Sequence, residues 1–486
     1  MLLEHDLHNI RRAIAAIPTD ISSDAVGQHV PKLEDMYTPE KQLAALDPGT
    51  PVVVGSRGTG KSFWAGVLGQ EETRLAADKA YPSLRLANLI VKFGFTGVIG
   101  GVSGVSTEHL NNFVNSDDVT LAKAFWWATI LRAAASVEGN APKFSEIKAA
   151  ALDVETREEL LQKYEQALSG NGKTLLIVYD ALDAVATTWS RRRMLTEALV
   201  EVVWAMRAYR AIKLKLFLRP DQIDDEALRF VELPKLRTGA VRLQWSGTDL
   251  YGMLYARLAL TPDPEVKKSF EKLLKAYSIL VPSREDVLSR KWSLCDQPEQ
   301  QAQVMNMLAG PFMASGAHAY KKGKTYEWPL KHLADALEEV TPRSFLGLMV
   351  SASQFGAPPI NLAISPAGIQ HGLRAASKTR VDQLHQEFQW IKGVLAPLAG
   401  LLLPGTDTEV FLAWKKTKTL ENVIRDAQTH KYIPPFDINN TNTESDLFEA
   451  LKRIGVMFRR KDERIDMPDL YRVAAKLLKK GATAPL

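Results

Sequence analysis

The chain has 486 residues, more than one compact core usually holds, and its composition is that of an ordinary globular protein. Cys295 is the only cysteine, which excludes an intrachain disulfide and a cysteine-based zinc site. No apolar run reaches the roughly 20 residues that a membrane-spanning helix needs. The first residues are acidic where a secretory signal peptide is basic, so we expect a mature cytoplasmic protein.

The net charge of +5 is concentrated at one end of the chain. The last 72 residues carry 15 lysines and arginines against 10 aspartates and glutamates, and the rest of the chain is electrically balanced. A basic terminal domain is typical of proteins that bind an acidic partner such as nucleic acid, although a solvated basic surface gives the same count.

The predicted elements change in type along the chain. Residues 1–45 are predicted to form a helical segment interrupted by prolines, and 51–54 a short apolar strand. Further strands are predicted at 86–95, 173–180 and 213–218, with helices at 62–77, 121–137, 156–168 and 191–210 and a glycine-rich loop at 96–105. This alternation predicts a parallel α/β sheet with crossover helices up to about residue 245. Helical patterns dominate beyond it.

Residues 55–62 match the phosphate-binding pattern G-x-x-x-x-G-K-[ST] at every position. The eight residues are Gly55, Ser56, Arg57, Gly58, Thr59, Gly60, Lys61 and Ser62. The glycines let backbone N–H groups point at phosphate oxygens, and the N-terminus of the following helix faces the same anion. Lys61 is expected to reach the β- and γ-phosphates and the Ser62 hydroxyl to bind Mg²⁺, so the sequence predicts an ATP·Mg²⁺ site.

A second apolar strand ends in a carboxylate, at Asp180. A buried strand ending in aspartate is what a phosphate-binding loop needs beside its Mg²⁺, so Asp180 and Ser62 are the predicted metal ligands. Many P-loop ATPases carry glutamate directly after this aspartate to position the attacking water, and here that position is Ala181. Asp183, the nearest carboxylate, is either the catalytic residue or a helix cap or solvated loop residue. Slow hydrolysis is therefore expected.

Several arginines are candidates for contact with phosphate. Arg219 ends the predicted strand 213–218, where it either contacts developing charge on the γ-phosphate or pairs with Asp221. Arg343 follows a predicted helix at 330–340, and it either returns over the nucleotide from a helical lid or marks only a helix boundary. Three successive arginines at 191–193 begin a helix with the wrong sign for its dipole, so they contact phosphate, a neighbouring subunit or only solvent.

These motifs together resemble those of the STAND and origin-recognition-like branch of the AAA+ ATPases. The resemblance rests on the loop at 55–62, on Tyr-Asp-Ala-Leu-Asp at 179–183 and on Phe-Leu-Arg-Pro-Asp at 217–221. Residues 241–257 look like the start of the helical lid of this group, and Arg343 resembles its sensor 2 arginine. The resemblance covers about 45–350 and implies a nucleotide switch in signalling, DNA transactions or defence against phage.

The end of the chain is predicted to be a winged-helix-like domain, as is often fused to this ATPase branch. An amphipathic helix at 445–455 precedes a short hairpin around 456–465 and a closing helix at 468–480. The wing would carry Arg459, Arg460 and Lys461. These residues either contact the phosphates of duplex DNA, or the winged helix does not bind DNA and packs against the ATPase.

The expected fold class is therefore α/β, with a P-loop parallel sheet, a helical lid, a further helical region and a C-terminal winged helix. The predicted boundaries are 1–45 for the N-terminal helical segment, 46–245 for the ATPase core, 246–354 for the lid, 355–414 for the linker region and 415–486 for the winged-helix-like domain. We expect a slowly hydrolysing ATPase that acts as a switch, that assembles as a homo-oligomer and that has a protein partner. A DNA-dependent ATPase or loader, an ATP-binding scaffold and a small-molecule kinase are the alternatives.

Overall fold

The computed structural model describes residues 3–19, 31–97, 105–139, 141–186, 188–223, 228, 230–436 and 441–486. The chain divides into two compact units. The sheet unit comprises Asp20–Gln244 and Leu288–Arg290, and the helical unit comprises Met1–Thr19, Trp245–Val287 and Lys291–Leu486. Most of the predicted loop at 96–105 lies outside the described residues.

The described ranges contain nine strands and twenty-three α-helices. The strands are β1 (Val52–Val54), β2 (Leu89–Phe95), β3 (Thr174–Tyr179), β4 (Ile212–Leu218), β5 (Val241–Arg242), β6 (Leu402–Leu403), β7 (Phe458–Arg459), β8 (Ile465–Asp466) and β9 (Leu478–Lys479). The helices are α1 (Glu4–Ala15), α2 (Leu43–Leu46), α3 (Lys61–Gly69), α4 (Glu71–Ala80), α5 (Thr107–Phe113), α6 (Val119–Glu138), α7 (Phe144–Leu152), α8 (Val154–Gly170), α9 (Trp189–Ala205), α10 (Pro220–Ile223), α11 (Leu233–Thr238), α12 (Gly247–Ala259), α13 (Pro264–Ala276), α14 (Arg284–Leu288), α15 (Pro298–Ala309), α16 (Glu327–Leu333), α17 (Pro342–Gln354), α18 (Pro366–Glu387), α19 (Ile391–Leu395), α20 (Asp407–Lys416), α21 (Thr419–His430), α22 (Glu444–Arg453) and α23 (Asp469–Arg472).

The sheet unit is built on a parallel sheet of five strands in the order β2-β3-β4-β1-β5. Strand β4 lies between β1, which precedes the phosphate-binding loop, and β3, which ends before Asp180. Because all five strands run in the same direction, the loops that follow β1, β3 and β4 leave the sheet at one edge. This edge is where open parallel sheets bind ligands.

Two clusters of buried side chains cover the two faces of this sheet, and alternate residues of each strand belong to opposite clusters. In β3, Leu175, Ile177 and Tyr179 pack with α6 on one face. Leu176 and Val178 pack on the other face, with Trp64 and Val67 of α3. Burial on both faces explains why these strands are nearly continuous apolar runs, which made them recognisable in the sequence.

The helical unit is organised around the pair α17 and α18. The two helices approach closely because Gly368 and Gly372 have no side chain at the contact. A Cβ atom at Gly368 would lie 2.7 Å from the carbonyl oxygen of Ala352, and one at Gly372 would collide with that of Leu348. Helix α1 belongs to this unit and packs on α13 and α17. No α-helix in the described ranges combines the length and apolar character of a bilayer span.

The end of the chain contains the predicted amphipathic helix, as α22, and the predicted hairpin, as the antiparallel pair β7 and β8. The closing helix predicted at 468–480 is wrong beyond α23, which ends at Arg472. Arg472 donates to the carbonyl oxygens of Leu477 and Thr483, and Lys476 has a φ of 60°. The chain then forms β9, which pairs with β6 in parallel, so a distant strand replaces the local helix.

Candidate nucleotide-binding site

The loop between β1 and α3 has the backbone form that its glycines predict. Gly58 and Gly60 have φ values of 86° and 104°, in the left-handed region that residues with a side chain rarely adopt. A Cβ atom at Gly55 would collide with the hydroxyl of Thr59. Helix α3 begins at Lys61, directly after the loop, so its first N–H groups are available to an anion there.

The side chains of the loop are held by the loop's own carbonyl groups. Lys61 Nζ donates to the carbonyl oxygens of Gly55 at 2.7 Å and of Ser56 at 3.2 Å. The Thr59 hydroxyl also donates to Ser56, at 2.8 Å. Ser62 is exposed in the first turn of α3. The ammonium group is therefore held against the loop whose N–H groups would bind phosphate.

Asp180 follows β3 at the same edge of the sheet and is partly buried. Its N–H group donates to the carbonyl oxygen of Phe95 at 3.2 Å. Tyr179, just before it, is fully buried, and its hydroxyl lies 2.8 Å from that of Thr129. Its ring crosses Gly94 so closely that a Cβ atom there would collide with it, and burial raises the pKa of Tyr179. These contacts fix the strand end that presents Asp180.

Ala181 occupies the position at which many P-loop ATPases carry glutamate. It has a φ of 54°, a left-handed conformation that is uncommon for a residue with a side chain, and it leads into a 3₁₀ helix at Leu182–Ala184. Asp183 lies in this 3₁₀ helix, three residues beyond Asp180, and its side chain lies outside the described part of the structure. The backbone therefore keeps Asp183 near the sheet edge, and its catalytic role stays a prediction.

Arg219 follows β4 and is only 6 % exposed. Its guanidinium group forms a two-point pair with Asp221, with Nε 3.0 Å from Oδ1 and one terminal nitrogen 2.8 Å from Oδ2. The alternative partner predicted from the sequence is therefore present. Arg219 is also next to the phosphate-binding loop, because the N–H group of Gly55 donates to the carbonyl oxygen of Leu218. Contact between Arg219 and phosphate stays a prediction. In such contact the phosphate would either replace the Asp221 carboxylate or bind the guanidinium group while the pair with Asp221 stays intact.

Gln222 is a residue of this edge that sequence reasoning missed. It lies in α10, is 5 % exposed, and its Oε1 accepts from the N–H group of Arg219 at 2.9 Å. That bond fixes the orientation of the amide, and its Nε2 has no hydrogen-bond partner among the described residues. An unsatisfied buried donor costs about 1–3 kcal/mol, so a group like this calls for an explanation. A glutamine in a polar loop gives no sequence signal of such burial.

Lys215 is the second residue missed, and it lies fully buried within β4. Its Nζ donates to the carbonyl oxygens of Ala45 at 2.8 Å, Asp47 at 2.9 Å and Thr50 at 2.8 Å. Burial lowers the pKa of Lys215 to about 7. The three carbonyl groups belong to α2 and to the turn that leads from it into β1, so Lys215 anchors the start of the strand that carries the phosphate-binding loop. A lysine inside an apolar strand was the available signal.

Arg343 lies in the helical unit, in the first turn of α17. This helix is capped by Thr341, whose hydroxyl oxygen accepts from the N–H group of Ser344 at 3.2 Å. The helix predicted at 330–340 is wrong in its second half, because α16 ends at Leu333. Beyond it, the carboxylate of Asp335 accepts from two backbone N–H groups of a turn, which ends the helical pattern. The sensor role of Arg343 stays a prediction.

The three arginines at 191–193 begin α9, as the sequence predicts. Arg191 donates to the carbonyl oxygen of Val114 at 2.5 Å and pairs with Asp117 at 3.1 Å. Arg192 donates to the carbonyl oxygen of Ala186 at 3.2 Å. The first two arginines therefore bind groups of their own unit, an outcome that the sequence did not suggest.

The predicted DNA-contacting arginines of the hairpin are engaged with carboxylates. Arg459 forms a two-point pair with Asp407, at 2.8 Å and 3.2 Å. Arg460 lies 3.7 Å from the buried carboxylate of Asp466. Two of the three cations that would contact DNA phosphates are thus partly neutralised within the protein, which favours a packing role for the hairpin.

The residues present fit a magnesium ion that arrives with a nucleotide. In the described ranges, no group of three or more histidine, cysteine, aspartate or glutamate side chains is placed to hold a metal ion. Mg²⁺ usually takes one or two protein carboxylates and completes its shell with water and substrate phosphates. The Ser62 hydroxyl and the Asp180 carboxylate remain the predicted donors for such a site.

Fold and site together define a mixed α/β protein with a central parallel sheet of five strands, consistent with the P-loop ATPase fold. No protein-family model and no curated protein matches the sequence. Among solved structures, the chain is similar to the ORC2 protein of Aeropyrum pernix in its ADPNP–ADP complexes. The two share 10 % identity over 90 % of this chain and 93 % of that chain, with a TM-score of 0.30.

Proposed function

We propose that the protein is a P-loop ATPase of the AAA+ type that binds ATP·Mg²⁺ at residues 55–62 and hydrolyses it slowly. The observation that supports this most strongly is the arrangement at one sheet edge. The phosphate-binding loop follows β1, Arg219 follows β4 and Asp180 follows β3, and β4 is hydrogen-bonded to both neighbours. An anion-binding loop, a cation and a carboxylate on adjacent strands form the set of groups that phosphoryl transfer uses.

Each group has a role that follows from its chemistry. The backbone N–H groups of the loop and of the first turn of α3 bind phosphate oxygens, and Lys61 neutralises their charge. Ser62 and Asp180 would hold Mg²⁺, which when bound neutralises the phosphate oxygens and orients them. Arg219, held rigid by Asp221, would stabilise negative charge that develops on the γ-phosphate.

Slow turnover is the second part of the proposal. Alanine at 181 cannot accept a proton from water or orient it, so the usual carboxylate is missing at that position. Asp183 is the proposed substitute, in the short helix that the left-handed Ala181 starts. A nucleotide that is hydrolysed slowly suits a molecular switch. Arg343 keeps its proposed role as the sensor of the lid region 246–354, on the strength of the family resemblance.

The alternatives remain proposals of lower rank. A DNA-dependent ATPase or loader needs exposed cations, and the pairing of Arg459 with Asp407 weakens the hairpin as its contact surface. A scaffold that binds ATP without hydrolysis differs only in turnover. A homo-oligomer, a protein partner and roles in DNA transactions or phage defence rest on the family resemblance alone.

Equilibrium binding of a fluorescent ATP analogue, with and without Mg²⁺, tests the proposal. The full-length chain should bind it saturably and more tightly with Mg²⁺. Lys61→Ala should weaken binding by at least about tenfold, or 1.4 kcal/mol. A matched control is Lys163→Ala, at a lysine of α8 remote in sequence from the motifs, which should leave affinity unchanged. Equal affinities in all three proteins would contradict the proposal.

A further inference from the structure

The helical unit contains a cavity of about 470 Å³ that plays no part in the proposed ATPase reaction. Small-molecule sites usually measure about 300–1,000 Å³, so this one has room for a ligand of nucleotide size. It lies between the end of α18, helix α19 and helix α21. Exposed residues such as Gln389 and Thr417 form its rim, so a ligand can enter from solvent.

The charge of the lining is predominantly positive. Lys392 and Arg425 carry positive charge, whereas Asp426 is the one carboxylate among the described lining residues. Lys392 lies 2.8 Å from Asp382, but both side chains are 49 % exposed. Solvent screens exposed pairs of this kind, so Lys392 can turn to an anionic ligand at little cost.

Arg425 is similarly available. Its side chain is 68 % exposed, its Nε is 3.6 Å from Asp426, and it donates to the side-chain oxygen of Asn422 at 2.8 Å. An exposed guanidinium group that makes one long ion pair and one neutral hydrogen bond gains by binding phosphate, which offers it two parallel hydrogen bonds.

Two buried nitrogen atoms of the wall lack partners. Trp390 is 3 % exposed, and its Nε1 has no hydrogen-bond partner within the described ranges. The same holds for Nδ1 of His385. Buried polar atoms in folded proteins are nearly always hydrogen-bonded, so these two nitrogens, in residues that line one cavity, are unused hydrogen-bonding groups. Neither nitrogen is accessible from the cavity in this conformation, so a ligand oxygen reaches it only after the side chain rotates.

The remaining wall suits a flat, partly apolar group. Tyr432 contributes aromatic surface and Pro397 aliphatic surface, and Trp390 and Val423 also line the cavity although they are only 3 % and 4 % exposed. Among the described residues, the Tyr432 hydroxyl donates one long hydrogen bond of 3.4 Å, to the carbonyl oxygen of Val423. We propose that this cavity is a second ligand site that binds a mononucleotide-sized phosphate monoester, with the phosphate against Lys392 and Arg425 and the ring system against Tyr432.

Gly393 allows a direct test of occupancy. It lines the cavity within α19, and a Cβ atom there would meet nothing within 4 Å, so a side chain can start at this position without a clash and Gly393→Phe should place its ring in the cavity. Gly347 of α17 is a matched control, because it is also a helical glycine with open space around its Cβ position and does not line the cavity. Both changes also replace glycine by a better helix former.

The experiment is a calorimetric titration of the full-length chain with AMP, in a Lys61→Ala background so that the phosphate-binding loop does not contribute. AMP should bind at one site, Gly393→Phe should weaken binding by at least about tenfold, and Gly347→Phe should leave it within about twofold. Inorganic phosphate should compete with AMP, and adenosine should bind at least about tenfold more weakly. Thermal melts check that both phenylalanine variants are folded.

Arg425→Glu gives a second test that does not depend on filling the cavity. It should weaken AMP by at least about tenfold, whereas Lys452→Glu, at a half-exposed lysine outside the cavity, should not. No saturable binding of AMP, equal binding of AMP and adenosine, or equal effects of the paired variants would overturn the proposal. Because each comparison is made with the phosphate-binding loop impaired, failure here leaves the ATPase proposal standing, and failure of ATP binding leaves this one standing.

Discussion

Replacement of Lys215 by methionine tests whether the buried ammonium group shapes the stability of the sheet unit. The pKa of Lys215 is about 7 in the folded protein against 10.5 for an ordinary lysine. Between these values the unfolded chain binds more protons than the folded one, so stability rises with pH. The slope is at most about 1.4 kcal/mol per pH unit, and the whole window amounts to about 5 kcal/mol. The value of about 5 kcal/mol is an upper limit, because the three carbonyl oxygens that accept from Nζ favour the charged form of Lys215.

Lys215→Met should remove this slope, and it should also destabilise the turn at 45–50, which loses its donor. Hydrogen–deuterium exchange of peptides that cover β1 and β4, corrected for intrinsic rates at pH 7, 8 and 9, measures the local free energy of opening. Lys213→Met is the matched control, because Lys213 lies on the same strand, is only partly buried and should leave the slope unchanged. The reasoning fails if Lys215→Met keeps the wild-type slope, or if the wild type has none.

Three further predictions concern the site. Asp221→Asn removes the carboxylate that pairs at two points with the buried guanidinium of Arg219 and should cost up to about 3–5 kcal/mol in thermal or urea unfolding; no loss would mean that this pair does not stabilise the fold. Asp183→Ala should lower the rate of ATP hydrolysis by about 10²–10⁴-fold with affinity unchanged if Asp183 activates water, and an unchanged rate would remove it from catalysis. Gly55→Ala should clash with the Thr59 hydroxyl and weaken ATP binding, and adding Thr59→Ala, which removes that hydroxyl, should restore part of the affinity; no recovery would mean that this clash is not the cause.

The elements around the phosphate-binding loop could be predicted because local sequence determines them. The strand predicted at 173–180 appears as β3, and the loop at 55–62 lies between a strand and a helix, since buried parallel strands and glycine-rich turns leave clear patterns. The helix predicted at 62–77 is instead two helices, α3 and α4, because Gln70 adopts an extended conformation between them.

Features that depend on distant contacts could not be predicted. Local propensity favours a helix around Leu478, but these residues form β9 because they pair with the distant strand β6. The carbonyl groups that accept from Lys215 lie some 165 residues away in the chain, and neither segment contains a sequence pattern that predicts their contact. The sequence suggests two partners for Arg219, Asp221 and a phosphate. Only the folded structure shows that Arg219 lies within hydrogen-bond distance of Asp221.

The most direct test of the central claim is steady-state ATP hydrolysis by the full-length chain, with and without duplex DNA at low and moderate salt, and with Lys61→Ala as the blank. The account predicts slow, Mg²⁺-dependent hydrolysis that Lys61→Ala abolishes and that DNA does not change. Stimulation by DNA that fades with salt would favour the DNA-dependent ATPase instead. A rate that is the same in the Lys61→Ala protein would contradict the assignment of residues 55–62 as the nucleotide site.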